Sequence, residues 1–294
     1  MREAEAGRAA LQAAAASQAA SAPDHLEFSF PIPATARAAF LPQRPRALLS
    51  LRAAGSMRYL LDKANPERHA FLAAMGLAPE RMVATELHHT RRVRLIEALP
   101  EGLPTAELPA EWDAAMLQGL DFGDGGPDGS EGRDGILLAG ALSGGFATGI
   151  TVADCMPIWI WDSASGARGV LHSGWKGTGI LEVAVRALAE RFGTRAEDLS
   201  VILGPAIGAC CYTVPPERAL AFEEAFGPAS VVREGQGKEG GPRLDLRAAN
   251  LGIARRLGIE ALLSVDSCSS CDPELGSFRR EGPEHFSRML ALCV

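Results

Sequence analysis

Two reactive side chains close two successive apolar stretches of this 294-residue chain. Cys155 lies in Thr151-Val152-Ala153-Asp154-Cys155-Met156-Pro157, and His172 in Leu171-His172-Ser173-Gly174-Trp175-Lys176-Gly177. A thiolate and an imidazole at neighbouring strand ends either share a metal ion or act as a nucleophile with its base. The connection between the runs is short enough for a hairpin. Paired strands lie about 5 Å apart, so the two side chains meet where the register allows. A third ligand would give a Cys/His/His set with one open position, the pattern of a catalytic zinc site. His88 and His89, in Glu86-Leu87-His88-His89-Thr90, are the candidates. A strand alternates its faces, so only one of the pair would point at a given site. Asp154, beside the cysteine, is placed to orient a ligand or relay a proton.

The other cysteines carry weaker signals. Cys268-Ser269-Ser270-Cys271 is a lone CxxC outside a strand-helix-strand context, and no second CxxC completes four thiolates. Adjacent Cys210 and Cys211 are expected as pocket wall or core, and the CxxC as structural packing. Cys293 has no partner in sequence. Trp175 is a candidate for stacking on a base. Arg279, Arg280, Arg52 and Lys176 are the cations available to hold an anionic group.

These residues must be positioned by short elements. Segments 47–51, 82–85, 136–139, 149–152, 157–161, 169–172, 199–203 and 261–265 read as strands. Segments 66–75, 180–192, 216–226 and 246–257 read as helices. The glycine-rich stretches 121–134 and 233–243 read as loops. Strands alternate with helices without a strict βαβ rhythm, which predicts a mixed sheet packed with helices in one domain over 25–294. Residues 1–24 read as an alanine-rich mobile tail, without the continuous apolar stretch of a secretory signal. Neither a Walker loop nor a dinucleotide fingerprint is present.

Composition narrows the function classes. The formal net charge of −7 offers no basic excess to neutralise phosphates, so no nucleic-acid partner is expected. No apolar run reaches the roughly 18 to 20 residues of a membrane helix, so no membrane partner is expected either. The cysteine pattern is not that of a secreted disulfide framework, and a cytoplasmic location is expected.

The motifs ADCMP, HSGWKG, GPAIGACCY, LDLRAAN and SFRREG, in that order between about Asp134 and Met289, resemble the multicopper polyphenol oxidase (laccase-domain) family. That family is also described as peptidoglycan-editing and purine-nucleoside-processing. Ser50 to Ser56 resembles a degraded form of its TRxGGxS start. The resemblance implies a single-domain α/β sandwich, in a fold group that also holds toxin deamidases of the cytotoxic-necrotizing-factor type. It implies a metal held by Cys155, His172 and a third histidine. The spacing in His89-Thr90-Arg91-Arg92-Val93 matches the family's histidine-to-valine distance, so His89 is chosen; His88 would instead put Glu86 at the family's glutamine position. Asp134 resembles an acid upstream of the ADC motif in relatives.

The activity implied is that of a zinc-dependent purine nucleoside enzyme. It would carry out phosphorolysis of adenosine, inosine or methylthioadenosine, and deamination of adenosine. The small-molecule partners implied are the nucleoside and phosphate. Cys155, His172 and Asp154 are the catalytic candidates, and copper is an alternative metal because Cys and His accept both. A copper-dependent polyphenol oxidase is a lesser alternative, since six histidines do not supply the many imidazoles of a four-copper cluster. Two further alternatives are a metal-free cysteine amide hydrolase, acting on peptidoglycan precursors through Cys155 and His172, and a non-catalytic metal-binding protein.

Overall fold

The run Met156-Pro157-Ile158-Trp159-Ile160-Trp161 has no polar face, so it needs cover on both sides. A computed structural model supplies that cover. It describes residues 24–36, 44–59, 64–98, 112–114, 117–124, 132–142, 145–233 and 240–294. The tail expected over 1–24 lies outside the described residues except for Asp24.

The described strands are β1 (His25–Ser29), β2 (Arg46–Ser50), β3 (Met82–Ala84), β4 (Val93–Ala98), β5 (Trp112–Asp113), β6 (Gln118–Phe122), β7 (Gly135–Leu138), β8 (Ala147–Val152), β9 (Met156–Asp162), β10 (Arg168–Ser173), β11 (Leu199–Leu203), β12 (Val231–Val232), β13 (Arg243–Leu244), β14 (Ala261–Ser264) and β15 (Met289–Cys293). The helices are α1 (Pro66–Ala74), α2 (Ile180–Phe192), α3 (Pro216–Phe226), α4 (Leu246–Arg256) and the short α5 (Phe278–Glu281). One sheet runs β1-β2-β15-β8-β3-β5 and the other β14-β11-β9-β10-β7-β4-β6, with β12 and β13 as a separate ribbon. Both large sheets are mixed: β3–β8, β4–β7 and β11–β14 pair in parallel, while β9–β10 and β15–β8 are antiparallel.

The inner faces of the two sheets form one core. Leu49, Ile150 and Ala291 of the first meet Ile136, Trp159, Trp161 and Val170 of the second. Trp159 donates its buried indole N–H to the Leu292 carbonyl at 2.8 Å, joining the sheets. On the far side of the second sheet, Ile158, Ile160 and Leu171 pack against Ile180, Ala184 and Leu188 of α2 and Ile253 of α4. On the far side of the first, Leu48, Met82 and Leu290 pack against Phe71 and Leu72 of α1. The result is a helix-sheet-sheet-helix sandwich, a mixed α/β fold as the sequence predicts. The division into two sheets, and strands β4 and β6, go beyond the sequence reading. Asp121 and Phe122, expected in a loop, close β6.

The functional loops follow from this division. The chain leaves the first sheet at Val152 and enters the second at Met156, so residues 153–155 make a crossing between layers. Asp154 adopts φ +78° there. The hairpin β9–β10 pairs His172 with Pro157 and Ser173 with Met156, which places Cys155 one residue beyond the last pair.

Candidate metal centre

His89, Cys155 and His172 converge: one ligand atom from each lies within 4.8 Å of the others. The two imidazole rings stand edge to face with centroids 5.1 Å apart. Gly174 continues β10 beside the cysteine, and a Cβ there would lie 2.7 Å from the Cys155 sulfur. Only a glycine leaves that sulfur its place.

The buried residue that organises the centre is Asp134, which is fully shielded from solvent. One of its carboxylate oxygens accepts the His89 amide at 2.9 Å and faces His172 Nδ1 at 3.0 Å. The other accepts the amides of His88 and Thr90, at 3.2 and 2.7 Å, and the Thr90 hydroxyl at 2.8 Å. Three successive N–H groups turned toward one carboxylate are incompatible with an extended strand. The strand alternation expected at 88–89 is therefore absent, and His89 sits at φ +57° in a loop. The alternation argument for choosing between the two histidines does not apply. Instead the loop turns His89 toward Cys155, while His88 packs on Gly132.

Electrostatics follow from the burial. Burial pushes the Cys155 thiol up, but the charge and hydrogen bond of His172, helped by His89, bring it down to about 6. Burial pushes His172 down, but the Cys155 thiolate and Asp134 raise it to about 10. Asp134 stays below the usual carboxylate range: burial opposes this, while His172 and Thr90 outweigh it. With Nδ1 committed to Asp134, His172 presents Nε2 toward the sulfur.

The three side chains open into a cavity of about 700 Å³. Its walls carry Arg58, Arg218, Arg279 and Arg288, and the aromatic rings of Tyr59, Trp175, Tyr212, Phe278 and Phe286. The Arg218 guanidinium lies 4.4 Å from the Trp175 ring centre and that of Arg288 4.2 Å from Phe286. Burial, and secondly the charge of Arg58, hold Arg288 below its ordinary value. Two guanidiniums near enough to repel make a place for an anion.

Trp175 and Arg279 thus line the cavity as the sequence suggests. Arg52 and Arg280 do not. Arg52 donates to the Pro273 carbonyl and pairs with Glu281, and Arg280 donates to the carbonyls of Ser269, Asp272 and Leu275. Their cations serve orphan carbonyls of a loop. Lys176 lines a neighbouring groove that shares Trp175 and Arg218. Asp154 borders the cavity, but both its oxygens are engaged, by the Ser269 hydroxyl at 2.7 Å and the Arg279 amide at 2.6 Å. These contacts tie the 153–155 crossing to the Ser269 loop and to α5. Arg58, Arg218 and Arg288 escaped the sequence reading because each stands singly, outside the motifs.

The residues fit a metal ion. They supply two imidazoles and a low-pKa thiolate in reach of one point, a carboxylate that fixes one ring's tautomer, and a glycine that clears the space.

Residues 61–294 match the family described as multi-copper polyphenol oxidoreductase laccase, and the chain belongs to that family. A Corynebacterium glutamicum protein named purine nucleoside phosphorylase is 28% identical over 217 residues, covering 73% of this chain and 75% of that protein. A Mus musculus protein of the same name is 38% identical over 138 residues, 43% of this chain; the match spans only 31% of the mouse protein. A protein named adenosine deaminase, from an unidentified prokaryote, is 34% identical over 131 residues, 44% of this chain and 50% of that protein. The crystal structure of the hypothetical protein YfiH from Bacillus licheniformis superposes with a TM-score of 0.65 at 20% identity, over 85% of this chain and 92% of that one. At that identity the likeness is one of fold. Among the described residues no helix is long and apolar enough to cross a membrane.

Proposed function

From this family membership we propose that the protein is a zinc-dependent purine nucleoside enzyme. Its reactions are phosphorolysis of adenosine, inosine or methylthioadenosine, and deamination of adenosine. The observation that carries this reading is the placement of His89, Cys155 and His172 in a cavity walled by four arginines and five aromatic rings. Relatives named purine nucleoside phosphorylase and adenosine deaminase support it.

A zinc-type ion held by His89, Cys155 and His172 would supply Lewis acidity toward an oxygen entering from the cavity. The rest of the work falls to the chain. Asp134 keeps the proton on His172 Nδ1 and the Nε2 lone pair directed inward. The aromatic walls offer flat apolar surface to a purine, worth about 1–3 kcal/mol per stacked base. Arg288 and Arg58 receive phosphate, which relieves their mutual repulsion. Arg288 lies over the Phe286 ring and Arg218 over the Trp175 ring, so each cation is held against an aromatic wall of the cavity.

The test is chromatography of adenosine, inosine and methylthioadenosine incubated with zinc-loaded protein, with and without phosphate. Free base formed only with phosphate, and inosine formed from adenosine without it, are expected. Zinc-loaded protein that turns over none of the three would overturn the reading.

One observation favours a second reading. Asp134, His172 and Cys155 form an acid-imidazole-thiolate chain with the thiol at about 6, the constellation of a cysteine hydrolase. In it the thiolate attacks an amide carbonyl, His172 passes its proton to the leaving amine, and water releases the acid. Alkylation separates the two: zinc protects Cys155 from iodoacetamide under the first reading. Full activity toward an amide in the metal-free chain would establish the second.

A further inference from the structure

The four cysteines outside the centre belong together, although nothing in their sequence spacing says so. Cys210 and Cys211 lie in the loop after β11, Cys268 and Cys271 in the loop after β14. These strands are parallel neighbours, Ser200 with Ala261 through Leu203 with Ser264, so both loops leave the same sheet edge. The loops stay zipped beyond it: Ser269 donates its amide to Ala206, and Ala206 bridges Cys268. Two similar turns follow, Cys211 N–H to the Gly208 carbonyl and Cys271 N–H to the Cys268 carbonyl, at 2.9 and 3.0 Å. They bring all four sulfurs within 4.8 Å of one another. Cys271 Sγ is 3.4 Å from Cys211 Sγ and 3.6 Å from Cys210 Sγ, and all four are free thiols. Cys210 and Cys211, expected as pocket wall or core, and the CxxC, expected as structural packing, thus form one cluster: parallel strand pairing supplies what a second CxxC would have.

The geometry points to a second metal site, in which Cys210, Cys211, Cys268 and Cys271 hold a zinc-type divalent ion by four thiolates. A tetrahedral ion with Zn–S bonds of about 2.3 Å sets its sulfurs about 3.8 Å apart. The separations of 3.4 and 3.6 Å fall 0.2–0.4 Å short of that value and the rest lie within 4.8 Å, so ion entry needs only small side-chain shifts. The loop backbone is arranged for thiolates. Gly208 donates its N–H to Cys268 Sγ at 3.2 Å, and the amides of Ser270 and Cys271 also face that sulfur. A Cβ on Gly208 would lie 3.2 Å from both Cys210 Sγ and Cys268 Cβ, so this glycine clears space for sulfur as Gly174 does at the first centre. Four thiolates around a divalent ion leave two negative charges. The guanidinium of Arg279 grips the carbonyls of Cys211 and Thr213, and that of Arg280 grips Ser269, so two cations stand on the same loops.

A site with every position filled by protein sulfur is closed to substrate and is structural. What it would brace is the cavity wall. The first loop carries Ile207 and Tyr212 of the lining, and the second carries Ser269, which fixes Asp154 next to Cys155. This inference does not depend on the reaction proposed for the first centre.

Cys155→Ser removes the first centre's thiolate and leaves the second intact. After purification under reducing conditions, metal analysis should give about two zinc ions per wild-type chain and at least about one in Cys155→Ser, with one fewer after Cys268→Ser and Cys271→Ser are added. Cobalt loading of Cys155→Ser should give the intense visible bands of tetrahedral sulfur coordination. The cobalt spectrum needs neither of the added substitutions, so it decides even if they unfold the chain. Bands of nitrogen- or oxygen-bound cobalt alone, unchanged metal content after Cys268→Ser and Cys271→Ser, or a disulfide among these cysteines in metal-free reduced-purified chain would each overturn the inference.

Discussion

Replacing Asp134 by Asn tests the organisation of the metal centre with a change of one atom. Every neighbour of this carboxylate presents hydrogen: the amides of His88, His89 and Thr90, the Thr90 hydroxyl and His172 Nδ1. An asparagine keeps one oxygen and turns an NH2 group against the rest. If its oxygen stays with His89 and His172, the NH2 meets two amides and a hydroxyl. If it flips, the NH2 meets the His89 amide and the His172 ring. At least one backbone amide loses its acceptor in either orientation, and the charge that polarises His172 is gone. Each hydrogen bond to a buried charge contributes about 1.5–3 kcal/mol, so two lost give about 3–6 kcal/mol of destabilisation. Loss of a carboxylate behind a ligating histidine typically weakens metal binding about 10–100-fold, or about 1.4–2.8 kcal/mol. The assays are urea unfolding of the metal-free chain and competition for zinc with a chromophoric chelator. Wild-type zinc affinity in Asp134→Asn, with an unchanged unfolding midpoint, would refute this account of how the histidines are held.

Gly174→Ala sets a methyl carbon 2.7 Å from the Cys155 sulfur, so one must yield by about 1 Å, beyond the roughly 0.2 Å a metal–ligand bond tolerates. Zinc affinity should fall at least about tenfold while the far-ultraviolet spectrum is kept; unchanged affinity counts against Cys155 as a ligand. In metal-free protein, alkylation of Cys155 should rise through pH of about 6 instead of the ordinary thiol range. The depressed thiol contributes stability that is complete above its unfolded value and lost as pH falls through about 6. The raised His172 contributes stability that is complete below its unfolded value and lost as pH rises through about 10. Denaturant midpoints across that range check both edges. Arg288→Met should raise KM for phosphate about 10-fold or more, with little change in KM for the nucleoside; equal changes in both would remove the assignment of phosphate to the Arg58–Arg288 corner. Asp154→Gly should be less damaging than Asp154→Ala by about 1 kcal/mol, because glycine relieves the positive φ although both lose the bonds to Ser269 and Arg279. Calorimetric melting of the two variants decides the order.

How much of this was legible in the sequence depends on how locally each feature is determined. The Cys155–His172 pair was visible because a hairpin is a local object: two apolar runs and a short turn set the register that places Pro157 opposite His172. The third ligand was only half visible. The 86–90 segment takes its shape from Asp134, a residue 45 positions from His89, and no propensity within the segment foretells that. The cavity cations were the least legible. Arg58, Arg218 and Arg288 come from three distant segments, and a lone arginine reads the same whether it faces solvent or an anion. Arg52 and Arg280 looked equally suitable and turned out to donate to carbonyls of the 269–275 loop and the residues around it.

The two aspartates beside the centre hold the two chain segments that carry its ligands. Asp134 and Asp154 both accept from N–H and O–H donors through each of their oxygens. The two sets of contacts differ in what they hold. Asp134 bends the 88–90 loop so that a histidine from between β3 and β4 reaches the end of β10. Asp154 secures the crossing from β8 to β9, where the chain changes sheet within three residues, and ties it to the loops after β14 and at α5. Cys155 therefore sits where two layers of the sandwich are pinned together. A sulfur placed there is held by the fold's own junction, so the thiolate and the imidazoles need no reorganisation to meet a ligand. The arginine-rich wall is less uniformly held, with Arg58 and Arg288 on loops and Arg218 and Arg279 on α3 and the short α5: the wall must admit a substrate, while the donors at its base must not move.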